Sequence, residues 1–157
     1  MFKFSQEALG LIQKELTRYE KKESAIIPSL FIAQKDNKGW VSQDVVEELC
    51  RVMDIPISRI EEVFKFYTMF NQKPVGRHHV QVCTNISCAL NGGRELAHHL
   101  ANELKVGMDQ MTEDGKFTIS KVECLGSCGT APMMQVNEQY YENLTPESAM
   151  NILRGLK

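Results

Sequence analysis

Four cysteines set as two close pairs carry the strongest chemical signal in this chain of 157 residues. Cys83 and Cys88 are separated by four residues, Cys124 and Cys128 by three, and thirty-five residues lie between the pairs. Thiolates are soft ligands. Four that converge suit zinc or an iron-sulfur cluster, since both take tetrahedral sulfur around each metal. Structural zinc sites favour two-residue gaps closed by a tight knuckle, whereas wider gaps of three and four can straddle a two-iron rhomb, so spacing favours the cluster. A thiol-disulfide enzyme is a further reading, but its usual Cys-x-x-Cys is missing. The fifth cysteine, Cys50, lies on an apolar helical stripe and reads as a small core residue.

A 2Fe-2S group on four thiolates has a formal charge of about −2, and about −3 after one-electron reduction, so the loops around it must donate hydrogen bonds. Leu125-Gly126-Ser127-Cys128-Gly129-Thr130 has two glycines that can take positive φ and turn backbone N–H groups inward as a nest. Thr84-Asn85-Ile86-Ser87 offers similar donors in the first loop. Gly92-Gly93 suits either a close backbone approach to these loops or a plain turn. His78, His79, His98 and His99 raise a Rieske-type centre as an alternative. The thiol quartet already completes a ligand set, however, and adjacent histidines point to different faces, leaving one of each pair for solvent.

The thiols can meet only if the elements before them end together. Val80 and Val82 alternate as a strand, a helix follows over about residues 93–104, and Phe117 and Ile119 alternate again. This β-α-β pattern makes the two strands parallel, so their carboxyl ends share one edge and the cysteine loops after them converge. Met133 to Val136, an Asn137-Glu138-Gln139 turn and Tyr140-Tyr141 read as a hairpin. Thr145-Pro146-Glu147 caps a last helix.

Residues 5 to about 70 read as four helices. Ala8, Leu9, Ile12, Leu16 and Tyr19 share a face over 5–20; a short apolar helix over 26–35 takes Pro28 in its first turn; Ser42 caps a third carrying Val45, Val46, Leu49, Cys50 and Met53; and Ser58 with Glu61 forms a capping box for a fourth carrying Ile60, Val63, Phe64 and Tyr67. Phe64, Phe66, Tyr67, Phe70 and Trp40 suit packing first and a partner interface second.

Eighteen basic and twenty acidic residues give a formal charge of −2, with no polybasic block, which makes nucleic acid a poor partner. No apolar run approaches the ~20 residues that cross a bilayer, and Met1 to Gly10 has neither signal-peptide nor transit character, so the chain is expected to act in a reducing cytoplasm. A zinc-stabilised interaction module is the rival reading from another class.

Several segments resemble a known family. Phe66-Tyr67-Thr68-Met69-Phe70, Pro74-Val75-Gly76, Val82-Cys83 with Cys88, Cys124-Leu125-Gly126-Ser127-Cys128-Gly129-Thr130-Ala131-Pro132 and Gly39-Trp40 are similar to the small 2Fe-2S subunits of NADH:quinone oxidoreductase, respiratory complex I. The likeness covers nearly the whole chain. It implies an α+β chain with a helical bundle over 1–72 and a thioredoxin-like 2Fe-2S ferredoxin domain over 73–157. It implies one 2Fe-2S cluster, with Cys83, Cys88, Cys124 and Cys128 as cofactor and metal ligands, and electron transfer without catalytic residues on this chain. The implied partner is a flavoprotein subunit that binds NADH and FMN within a larger complex I assembly, on the cytoplasmic face of the inner membrane, with the cluster near the flavin and off the main line of centres. The absence of a Gly-rich dinucleotide fingerprint agrees with that division. Similar subunits occur in NAD-linked formate dehydrogenases and in hydrogenases.

Overall fold

Helix formation begins where the Ser5 hydroxyl accepts the Ala8 N–H, starting α1 (Gln6–Leu16) in a computed structural model that describes residues 1–157. α1 buries Ala8 and Ile12 and stops well short of the expected residue 20. Tyr19 is exposed, so beyond Leu16 the chain has no apolar face to bury, and the Thr17 hydroxyl donates to the Lys14 carbonyl instead. After a short 3-10 turn over Lys22–Ala25 comes α2 (Ile26–Asp36), with Pro28 in the first turn, where a missing N–H costs no helical bond. Asp36 reaches back to α1 and accepts from both the N–H and the hydroxyl of Ser5.

α3 (Gln43–Met53) starts as expected on Ser42, whose hydroxyl accepts from the Val45 N–H, and ends at Asp54 in a left-handed conformation. The expected capping box at Ser58 is absent. α4 (Ile57–Phe66) begins two residues earlier, because Pro56, with its fixed φ of −57°, occupies the N-cap and sets the chain direction. Ile12, Leu30, Leu49, Met53, Ile60 and Phe70 are fully buried where these four helices meet. Cys50 is half-buried on the rim of that core. The helices and the chain after them, Met1–Pro74, form one compact unit, and Val75–Lys157 forms a second.

In the second unit a four-stranded sheet has the order β2-β1-β3-β4. β1 (His78–Cys83) and β2 (Phe117–Val122) are parallel, with Val80 opposite Ile119 and Cys83 opposite Val122. The crossover is α6 (Gly93–Glu103), whose Leu96, Ala97 and Leu100 are buried with Val80, Val82 and Ile119 in one core. Before it stands a one-turn helix that the sequence pattern did not suggest, α5 (Ile86–Leu90). β3 (Met134–Val136) and β4 (Gln139–Tyr141) make the expected hairpin, and β3 pairs antiparallel with β1. Asn137 takes φ 53° in the turn, and its side chain accepts from the His79 N–H and donates to the Arg77 carbonyl. α7 (Pro146–Gly155) starts on a Thr145–Ser148 capping box and packs on α6. No helix is long and apolar enough to cross a membrane.

Candidate metal centre

Parallel pairing of β1 and β2 is what brings the cysteines together. Cys83 is the last residue of β1, and Cys124 follows the end of β2 by two positions. Cys88 is carried on α5, one short turn beyond β1, and Cys128 opens a 3-10 turn over Cys128–Thr130. All four therefore sit at one sheet edge. The thiols of Cys124 and Cys128 lie 3.9 Å apart, the neighbouring Cys83 raises the Cys88 pKa, and Cys128 is close enough to feel both Cys83 and Cys88 electrostatically. No three His, Cys, Asp or Glu side chains surround a single ion-sized point; the thiols stand as two pairs.

Distance tests whether a metal group fits. Two thiolates on one tetrahedral metal, with metal–sulfur bonds of about 2.3 Å, stand about 3.8 Å apart. The Cys124–Cys128 separation of 3.9 Å agrees with that figure. The electrostatics point the same way. Burial pushes the Cys88 thiol up to about 11, with the adjacent Cys83 thiol adding to the rise and a Met133 backbone hydrogen bond opposing it. The hydrogen bond with Cys124 likewise raises Cys128. Thiols this crowded ionise together only when a cation compensates their charge.

The pairs differ in environment. Cys83 and Cys88 are only 3% and 2% exposed and pack with Met133, Leu125 and Ala131. Cys124 and Cys128 are both exposed. Of the two glycines in the second loop, only Gly126 takes positive φ, 83°, and its N–H donates to the Cys124 sulfur at 3.3 Å, as a nest would. Gly129 lies inside the 3-10 turn, so the expected second left-handed glycine is not used.

The first loop also differs from expectation, because its polar groups bind backbone and neighbours instead of sulfur. The Asn85 side chain accepts from the Ile86 N–H, capping α5, and donates to Glu123 at 2.5 Å. The Ser87 hydroxyl donates to the Cys128 carbonyl at 2.9 Å, and Thr84 bonds the Val122 carbonyl. These bonds tie one cysteine loop to the other. The second loop is held by residues that the sequence pattern did not single out: Glu142 accepts from the Ser127 and Thr130 hydroxyls, and the Tyr140 hydroxyl donates to the Leu125 carbonyl at 2.8 Å. The peptide bond between Ala131 and Pro132 is cis.

Gly93 settles one open reading of the sequence. A Cβ there would lie 2.7 Å from the Cys83 carbonyl oxygen and 2.8 Å from that of Cys88, so the start of α6 touches the backbone of both ligand positions. Gly92, with φ 86°, only turns the chain. Of the histidines, His79 is buried against Ser120, His98 is exposed and bonds Lys121, and His78 bonds the Lys157 carbonyl. Each pair thus splits its faces as expected for neighbours on one element.

Residues 12–157 match the family model described as Thioredoxin-like [2Fe-2S] ferredoxin. The chain belongs to this family. Relatives agree over nearly the full length. The chain is 40% identical to the NADH-quinone oxidoreductase E subunit of Rickettsia bellii over 99% of its own residues and 95% of the relative's. It is also 40% identical to the mitochondrial NADH dehydrogenase [ubiquinone] flavoprotein 2 of Dictyostelium discoideum, covering 64% of that protein. Among solved structures, NAD+-reducing [NiFe]-hydrogenase in the air-oxidized state matches 80% of the chain with a TM-score of 0.66 at 20% identity, and the likeness spans 22% of the hydrogenase chain. At that identity the likeness concerns the fold, which is α+β with a thioredoxin-like unit.

Proposed function

We propose that this protein is the electron-transfer subunit of an NADH:quinone oxidoreductase, with one 2Fe-2S cluster on Cys83, Cys88, Cys124 and Cys128, next to a flavoprotein subunit that carries FMN and NADH. The observation that carries the reading is the meeting of four thiols, as two pairs, at the carboxyl edge of two parallel strands. A single zinc needs its donors around one point, whereas two irons bridged by sulfide need two thiolates each. Membership of a family described by this cluster, and a relative named as an NADH-quinone oxidoreductase subunit over 95% of its length, support the cofactor and the parent complex.

Bound in that site, the cluster would accept and release single electrons without proton or atom transfer. This chain's residues hold and tune it. Cys83 and Cys88 keep water from one side of the site, and the Gly126 N–H, donating to the Cys124 sulfur, would stabilise charge there. Glu142, Tyr140, Ser87 and Asn85 hold the ligand loops in place, which limits rearrangement between oxidation states. The fold is shared with NAD+-reducing hydrogenase, but the longer and closer sequence match favours the quinone-linked complex.

The decisive experiment measures iron and acid-labile sulfide on anaerobically purified protein, with EPR before and after dithionite. About two irons and two sulfides per chain, with a rhombic S = 1/2 signal on reduction, is the expected result. Zinc without sulfide would remove the electron-transfer role. Co-purification with a protein that holds FMN tests the partner, and a stable assembly lacking FMN would refute it.

A further inference from the structure

The four thiols fall into a buried pair and an exposed pair, and that asymmetry has a chemical consequence for the chain before it is loaded. Cys83 and Cys88 are enclosed by Met133, Leu125 and Ala131. Cys124 and Cys128 face solvent on a three-residue loop with their sulfurs 3.9 Å apart. A disulfide needs about 2.05 Å between sulfurs. Side-chain rotation at two exposed positions, spaced by a loop containing left-handed Gly126, can cover the difference.

We propose that, in the cluster-free chain, Cys124 and Cys128 are a reversible oxidation site that closes a disulfide with a low-molecular-weight disulfide such as oxidised glutathione, while Cys83 and Cys88 stay reduced. The proposal deepens the reading that these cysteines are ligands, and rests on it. Cys124 is the attacking sulfur, because it is exposed and the Gly126 N–H, donating to it at 3.3 Å, fixes its position. Its sulfur bonds to one glutathione sulfur as the glutathione S–S bond breaks, and the released thiolate takes up the proton. Cys128 then attacks the Cys124 sulfur, displacing the second glutathione as thiol. Two protein thiols are oxidised and one glutathione disulfide is reduced to two thiols. The ring keeps the exposed pair off the irreversible path to sulfinic acid, and reduction returns it ready to bind metal.

The test uses the full-length chain, cluster-free and shown to be folded by circular dichroism, treated anaerobically with oxidised glutathione. Free thiols are then alkylated in denaturant, disulfides are reduced and labelled with a second reagent, and the protein is digested with trypsin. Residues 78–94 and 122–154 fall in separate peptides, so each pair is read independently. The expected result is at least tenfold more second label on 122–154 than on 78–94. In Cys128→Ser, glutathione should remain attached at Cys124 because no neighbour displaces it. Equal oxidation of both pairs, a link between the two peptides, or a persistent glutathione adduct in the unsubstituted chain would overturn the proposal. Reduction with dithiothreitol should restore all thiols, and failure to do so would overturn its reversibility. A never-oxidised control that takes up no iron and sulfide would instead refute the cluster reading, and the peptide map would still judge the disulfide.

Discussion

Replacing Gly93 by alanine tests whether α6 sets the position of the ligand loops. The new Cβ would stand 2.7 Å from the Cys83 carbonyl oxygen and 2.8 Å from the Cys88 carbonyl oxygen, and neither neighbour is a flexible side-chain end. Reaching ordinary contact, near 3.5 Å, needs a displacement of about 0.8 Å, shared between the start of α6 and two backbone segments. Overpacking of this kind costs about 1–3 kcal/mol, partly offset by about 0.5 kcal/mol from the lower backbone entropy of alanine. The geometric effect is larger than the thermodynamic one, since a site displaced by more than about 0.5 Å no longer holds its group well. Gly93→Ala should therefore lower the urea midpoint modestly and lose most of its iron and sulfide. Gly92→Ala is the control. Its Cβ meets nothing within 4 Å, and φ 86° makes it strained by about 1 kcal/mol without pushing on a cysteine. Full metal content in Gly93→Ala, or equal loss in both variants, would refute the assignment of Gly93 to close approach.

Other substitutions separate the site from its surroundings. Cys124→Ser should abolish normal cluster assembly, whereas Cys50→Ser, on the rim of the helical core, should cost about 1 kcal/mol and leave iron content unchanged; loss of iron in the second would contradict the ligand assignment. Glu142→Ala removes the acceptor of the Ser127 and Thr130 hydroxyls, so the group should be lost to chelator several-fold faster, and an unchanged rate would show that the second loop holds itself. In the helical unit, Glu48 is held at about 2, below its usual 4.5, first by its hydrogen bonds to Arg51 and then, against burial, by Lys3. A depressed carboxyl stabilises the fold fully above about pH 4.5 and loses that contribution as pH falls towards 2. With both cationic partners exposed, about 1–2 kcal/mol is expected at pH 7, and the midpoint difference between wild type and Glu48→Gln should narrow by pH 3. Burial lowers the His79 pKa, so the neutral ring is the folded form, and stability should fall as pH drops below about 6.5. His79→Gln should flatten that part of the profile in thermal melts.

Much of this arrangement was legible in the sequence, because the strongest signals are local or periodic. Ser42 and Thr145 begin helices as read, and the alternation of Val80 with Val82 and of Phe117 with Ile119 marks the two parallel strands. The errors fall where a local signal competes with a stronger one nearby. Ser58 and Glu61 have the spacing of a capping box, but Pro56 starts the helix first. Tyr19 extends the apolar periodicity of α1, yet the residue stays exposed, with the Arg18 guanidinium over its ring in place of a core. α5 has five residues, too few for a hydrophobic period, although Asn85 before Ile86 is the N-cap signal that marks it.

What remained hidden at the site is long-range. Nothing in the residues near Ser127 and Thr130 names Glu142 as their acceptor, nor does the Leu125 loop point to Tyr140; the β3–β4 hairpin delivers both from the far side of the sheet order. Charge balance alone suggests that every polar group in the first loop faces sulfur. The structure divides the work differently. Cys124 gets a backbone hydrogen bond from Gly126 and the Met133 backbone lowers the Cys88 pKa, while the side chains of Asn85 and Ser87 are committed to Glu123 and Cys128. Backbone donors are lost only to proline, whereas side-chain donors are lost to many substitutions. The hydrogen bonds that tune sulfur are thus built into the chain path, and the mutable ones serve to hold that path together, which places the effect of most surface substitutions here on cluster retention before potential.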